Sequence, residues 1–154
     1  MAAYDLAQVN VGRLLAPIDA PETAAFFNAL DPVNALADTA PGFLWRLQTE
    51  DGNATAVRVD DDPLNIVNLS VWESMDALTN FVYRSAHTDV MRRRAEWFHR
   101  AADAYVALWW VPTGHRPTVT EAIDRLERLR RDGPTQDCFT FRTPFPAPSV
   151  ASSR

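Results

Sequence analysis

Apolar and polar residues alternate along Tyr4–Val11, the period-two signature of a strand. Phe43–Thr49 and Ala54–Val59 flank Asp51-Gly52, a hairpin signal. Ile66–Trp72 and Ala104–Val111 are two further strand-like runs, and Cys138–Phe141 is a short one. Helical stretches separate them. Pro21–Leu30 is one, with Asp19 and Glu22 in capping-box spacing, and Asp31-Pro32 restarts a short helix through Ala37. Ser74 caps a helix to Tyr83, and Ser85 opens a second through about Arg100. Thr118, with Glu121 three positions on, caps a helix whose Val119, Ala122, Ile123, Leu126 and Leu129 form one apolar stripe. Gly133-Pro134 stops it. Residues 1–143 read as a single domain, and 144–154, with Pro144, Pro146 and Pro148, as an extended or disordered tail.

This order predicts an α+β fold: a ferredoxin-like sandwich, mostly antiparallel sheet with helices on one face. Each strand shows two sets of side chains. One is apolar: Ala7, Val9, Val11; Phe43, Trp45, Leu47; Val67, Leu69, Val71; Val106, Leu108, Trp110. The other mixes polar and aromatic groups: Gln8, Asn10; Arg46, Gln48; Asn68, Ser70, Trp72; Tyr105, Trp109. The first suits a helix layer. The second suits a ligand cavity or a subunit interface, or else an open face in water.

All 3 histidines and four of the 5 tryptophans lie between Asn68 and Arg116. On a helical projection Ala86, Val90, Met91, Trp97 and Phe98 span an arc of roughly 140°. His87 and Arg94 fall inside it, two turns apart. An imidazole and a guanidinium on an apolar arc need partners, because a buried polar group left unpaired costs a few kcal/mol. Either both reach a pocket, or both are satisfied by core groups. His99 falls on the solvated side with Arg92, Arg93 and Glu96. His115-Arg116 sits in a loop after a strand, a usual place for functional residues and equally for a rigid turn. Asp60–Asp62 lacks the spacing of a calcium loop and reads as a solvated turn. No Gly-rich phosphate loop, metal-ligand spacing or nucleophile elbow is present, and no metal is expected.

Composition narrows the field. The 154 residues carry a net charge of -5, which gives no footprint for nucleic acid or an anionic membrane. All 15 basic residues are arginine, so Schiff-base chemistry on lysine is excluded. A single cysteine, Cys138, rules out an internal disulfide. Neither a signal peptide nor a membrane span is visible, and the expected location is cytoplasmic.

The stretches ALDPVNALADTAPGFLWRLQTEDGNAT (Ala29–Thr55), VNLSVWES…FVYRSAHTDVMRRRAEWF (Val67–Phe98) and LWWVPTGHRP (Leu108–Pro117), with the closing GPT…FTF…PFP, resemble a bacterial family of unknown function. That family is similar to the dimeric α/β-barrel superfamily, which includes the antibiotic-biosynthesis monooxygenases and the haem-degrading enzymes. The resemblance implies a ferredoxin-like protomer and a homodimer that completes an α/β barrel, but no single activity, since members of the superfamily carry out cofactor-free oxygenation, haem cleavage, dehydration, isomerisation or ligand binding alone. In the haem-degrading members a helix histidine ligates iron while Asn and Trp shape the pocket, parts that His87, Asn68 and Trp72 would take here.

The expected site therefore has His87 as acid/base, Arg94 as anion clamp and Asn68 as hydrogen-bond donor. Trp72, Trp97 and Trp109 would form its walls, with Tyr105, Arg46 and His115 beside them. No cofactor is required on this reading. Haem with His87 as axial ligand is one alternative, and a non-catalytic dimeric ligand-binding module is the other.

Overall fold

The computed structural model describes residues 3–17, 19–48, 62–84, 92–101 and 103–148. The expected strand Ala54–Val59, its Asp51-Gly52 turn, Asp60, Asp61 and the first turns of the Ser85 helix, His87 included, lie outside the described residues.

Among the described residues four strands form one antiparallel sheet: β1 (Tyr4–Arg13), β2 (Phe43–Arg46), β3 (Asn65–Trp72) and β4 (Val106–Pro112), in the order β2-β3-β1-β4. With α1 (Ala24–Asp38) between β1 and β2 and α2 (Met75–Arg84) between β3 and β4, this is the expected ferredoxin-like α+β topology. β1 is central: Gln8 lies opposite Ser70 on β3 and Leu108 on β4, and Ala7 lies opposite Val71 and Trp109.

Residues directly opposite one another share a face, so the pairing sorts the sheet into two layers. Ala7, Val9, Leu69, Val71, Ala107 and Trp109 pack with Ala122, Leu126 and Leu129 of α4 (Val119–Asp132). Leu6, Trp72 and Leu108 face the other way, toward Leu78 and Val82 of α2. α1 and α2 thus share one face, and α4 covers part of the other.

This register corrects two face assignments. Along β4 the alternating sets are exchanged: Trp109 faces α4, while Val106, Leu108 and Trp110 face the opposite layer. In β2 the pairing shifts between Phe43 and Trp45, so that Phe43 lies opposite Trp72 and Trp45 opposite Val71. One extra residue flips the side chains before it; Phe43 therefore joins the α1/α2 face and Trp45 the α4 face.

Local signals explain most boundaries. The Ser74 hydroxyl accepts from Ala77 N–H at 3.1 Å, and that of Thr118 from Glu121 N–H at 3.1 Å, both N-caps. Gly133 ends α4 at φ 75°, a conformation that favours glycine. α1 is continuous through Pro32 rather than broken before it, and is preceded by a 3₁₀ turn at Pro21–Thr23. No side chain caps that turn. Instead the buried Thr23 hydroxyl donates to Pro17 O at 2.7 Å.

The helix expected through Arg100 ends three residues sooner. Its described part, α3 (Arg94–Trp97), gives way to extended Phe98, which bridges Leu14. Leu15 N–H donates to Trp97 O at 2.8 Å and His99 N–H to Arg13 O at 2.9 Å, so pairing with the end of β1 replaces the last helical turn. Residues 138–148 pack on the sheet: Phe139 pairs with Leu108, Trp110 Nε1–H donates to Phe145 O at 2.9 Å, and the Phe145 ring lies 5.9 Å from that of Phe139.

Candidate functional site

A cavity of about 320 Å³ lies between the sheet and the α1/α2 layer. Its floor is the polar set of strand positions, including Gln8, Asn10, Asn68 and Ser70. Its roof is apolar, with Phe26, Leu30 and Val33 from α1 and Leu78, Phe81 and Val82 from α2. Concave, mostly apolar walls with a few convergent polar groups are the usual form of a small-molecule site.

Trp72 anchors one end. Its ring stacks on Phe81 at 5.1 Å and meets Phe43 edge-on at 5.3 Å. Its indole N–H donates to Ser70 Oγ at 2.9 Å. Ser70 Oγ also accepts from Gln8 Nε2 at 2.9 Å, and the same amide donates to Asn68 Oδ1 at 2.6 Å. Asn10 Nδ2 donates to Gln8 Oε1 at 3.2 Å. This chain orients Asn68 through its carbonyl oxygen. Among the described residues nothing accepts from Asn68 Nδ2 and nothing donates to Asn10 Oδ1. A ligand over the floor therefore meets one oriented donor and one oriented acceptor.

Arg94 stands at the other end with Trp97, Phe98 and Tyr105. Its guanidinium lies over the Tyr105 ring at 4.2 Å and the Phe98 ring at 4.7 Å, and donates to Val11 O at 3.4 Å. It is half-buried, and no carboxylate pairs with it among the described residues. Burial pushes its pKa below the ordinary arginine value, against an opposing pull from the Tyr105 phenol. Tyr105 precedes β4, so strand alternation does not fix its side; this is how it reaches the cavity while Ala107 and Trp109 do not.

The remaining expected residues divide. Trp72, Trp97, Tyr105, Arg46, Asn68 and Arg94 all line the cavity. Arg46 is committed to Asp38 of α1, with Nε–Oδ1 at 2.8 Å and Nη2–Oδ2 at 3.2 Å, and ties β2 to that helix. Trp109 is not a wall of it. Fully buried beneath α4, it donates from Nε1 to Glu121 Oε2 at 3.0 Å. His115 is likewise elsewhere. Its Nε2 is 2.7 Å from Glu121 Oε1, beside a groove on the α4 side of the sheet lined by Asp5, Trp45, Val71 and Arg116. His87 lies outside the described residues. Gln8, Asn10 and Ser70 belonged to the polar strand face but were not marked as site residues. Phe26, Leu30 and Val33 gave no sequence signal, since an apolar helix stripe reads as core.

The described cavity lining offers amides, hydroxyls and the guanidinium groups of Arg46 and Arg94, with no imidazole, thiolate or thioether. Of the residue types that ligate a haem iron, His, Cys, Met and Tyr, the described lining holds Tyr83 and Tyr105, the latter with Arg94 over its ring, and the expected ligand His87 lies outside the described residues. Among the described residues no three His, Cys, Asp or Glu side chains converge as a metal site, and no helix is long and apolar enough to cross a membrane.

The profile of a family described as "Domain of unknown function (DUF3291)" matches residues 5–154. A search of curated proteins finds no match. Among solved structures, a Nitrosomonas europaea protein described as a candidate antibiotic biosynthesis monooxygenase is similar at 12% identity and a TM-score of 0.50, over 77% of this chain and 98% of that one. SnoaB, a cofactor-independent oxygenase from Streptomyces nogalater, is similar at 17% identity and a TM-score of 0.47, over 76% and 97%. Rv0793 from Mycobacterium tuberculosis is similar at 14% identity and a TM-score of 0.47, over 74% and 99%.

Proposed function

Since this chain belongs to the DUF3291 family of unknown function, we propose that it is a small-molecule enzyme with monooxygenase-like chemistry, acting on a flat aromatic compound in the cavity between the sheet and α1/α2. The observation that carries this reading is the cavity itself: an aromatic enclosure over a hydrogen-bonded amide floor that presents Asn68 Nδ2 and Asn10 Oδ1 without partners among the described residues. A purely structural Arg94 would be expected to face an acid, and among the described residues it faces none.

These groups suit proton removal and stabilisation of the resulting anion. His87 is assigned as the base from its place on the helical arc. Asn68 Nδ2–H would stabilise a developing oxyanion, as preorganised donors in a dry site do, and the Arg94 guanidinium would clamp an anionic group of the substrate. A substrate methylene made acidic by flanking rings would lose a proton and give electrons to dioxygen. A C–O bond would form, and loss of water would leave a ketone. One oxygen atom ends in the product, and the other leaves as water with the two methylene hydrogens.

The protein is also read as a homodimer, joined through the α4-side face on which Trp45 lies. Oxygen uptake with a panel of anthrones and naphthols tests the enzyme reading. Wild-type protein should consume oxygen, and His87→Ala should slow it by about 10²–10⁴-fold, the usual contribution of a positioned base. Undiminished turnover in His87→Ala would remove that residue's role. Absence of uptake across the panel, with no quenching of tryptophan fluorescence, would overturn the reading.

A further inference from the structure

Gly12 is the position on β1 that faces the side chains of Phe98 and Arg94. A Cβ built on Gly12 would lie 2.6 and 2.8 Å from Phe98 ring carbons and 3.1 Å from Arg94 Nη2. The strand thus leaves out a side chain at the point where the phenylalanine and guanidinium press against it. The neighbouring backbone is clamped: Phe98 bridges Leu14, and Leu15 and His99 hydrogen-bond across the same seam. Phe98 itself is buried edge-on against Phe26 at 5.0 Å. Arg94 is therefore placed by surroundings with little freedom to shift. Two rings carry its cation, Val11 O takes one Nη2 hydrogen, and no acid neutralises it among the described residues.

A guanidinium carries five N–H donors in a rigid fork that matches a planar carboxylate. Among the described residues one of them is used. The rings beneath it are apolar, and the rest of the described lining is uncharged apart from Arg46, which is paired with Asp38. A dianion would leave a charge uncompensated, whereas a single carboxylate matches the single cation. We propose that the Arg94 end of the cavity is a carboxylate subsite, that its ligand is an aromatic monocarboxylate, and that Gly12 is the positioning residue that lets Phe98 seat Arg94 there. This rests on the reading of the cavity as a ligand site, and adds the substrate class.

Titrations of tryptophan fluorescence with 2-naphthoate and with its neutral match 2-naphthamide separate the two ideas. The carboxylate should bind about tenfold more tightly, the difference between a charge-assisted and a neutral hydrogen-bonded pair. Arg94→Gln should abolish that preference while keeping the affinity for the amide. Gly12→Ala should shrink the preference too, because the new methyl displaces Phe98 and the guanidinium. Gly12→Ala combined with Phe98→Leu, which frees the space, should restore part of it. A merely structural glycine would lower stability without changing the ratio of the two affinities, and this ratio is the readout that counts. Equal binding of both probes overturns the carboxylate subsite and leaves the cavity reading standing. Binding of neither probe overturns the cavity reading and this inference with it. If Gly12→Ala fails to fold, Arg94→Gln alone decides, since a retained preference in that variant also overturns the proposal.

Discussion

At the scale of single residues, the floor of the cavity turns on Ser70. It is buried, and its hydroxyl oxygen receives both the Trp72 indole N–H and the Gln8 amide. Indole nitrogen is a donor only, so it has no alternative role if that oxygen is lost. Ser70→Ala should cost about 1–3 kcal/mol, the desolvation penalty of an orphaned donor. For a chain of this size that lowers Tm by about 2–4 °C per kcal/mol. Scanning calorimetry checks it, and an unchanged Tm would mean that neither donor depends on Ser70. Much of this residue-level pattern was legible: Gln8, Asn10, Asn68 and Ser70 fall on one strand face by simple alternation. Trp109 and Phe43 were not, and for physical reasons. The face of Trp109 is set by its pairing with Ala7, a hundred positions away in the chain, and that of Phe43 by an extra residue in β2. Neither leaves a local trace. The partner of the Trp109 N–H, Glu121, explains in retrospect why so polar an aromatic tolerates full burial.

At the scale of elements, capping chemistry was the most readable signal. Thr118 and Ser74 both do what their spacing implies, because an N-cap depends only on the next three residues. α1 shows the opposite case. Asp31-Pro32 reads locally as a break, yet the helix runs on from Ala24 to Asp38. Phe26 and Ala37, buried toward opposite ends of that helix, hold it together across the proline. Burial of a face outweighs the one backbone hydrogen bond that proline cannot donate. α3 is the converse, a helix ended early by backbone pairing with β1. Pro32→Ala should restore the missing rung and relieve the clash with the preceding turn, which together cost about 3 kcal/mol in a helix interior. A Tm above wild type is the expected outcome. A lower Tm would show that the fixed φ of proline at this position stabilises α1 by more than the missing hydrogen bond costs.

At the scale of the whole molecule, the two sheet faces carry different burdens. One holds the cavity beneath α1 and α2. On the other, α4 packs on β4 and β1, and the β2 side presents half-buried Trp45 and Leu44, which is 43% exposed, beside a groove reaching Val71 and His115. Large apolar side chains at one edge of a sheet face, next to a concave surface, are the features a second copy would cover. The charge of -5 on each chain opposes such pairing only weakly at physiological salt, where exposed charges are screened beyond about 8 Å. A stable pairing has to bury roughly 1,000 Å² or more in total, and an exposed leucine at its centre should matter more than its small share of that area. Sedimentation equilibrium at micromolar concentration should therefore return twice the chain mass of 17.3 kDa. Leu44→Glu should return the chain mass itself, with the far-ultraviolet circular dichroism unchanged, because Leu44 contributes little to the protomer's own core. A wild-type protein that sediments as a monomer would refute the dimer. A dimer untouched by Leu44→Glu would move its interface away from the β2 edge.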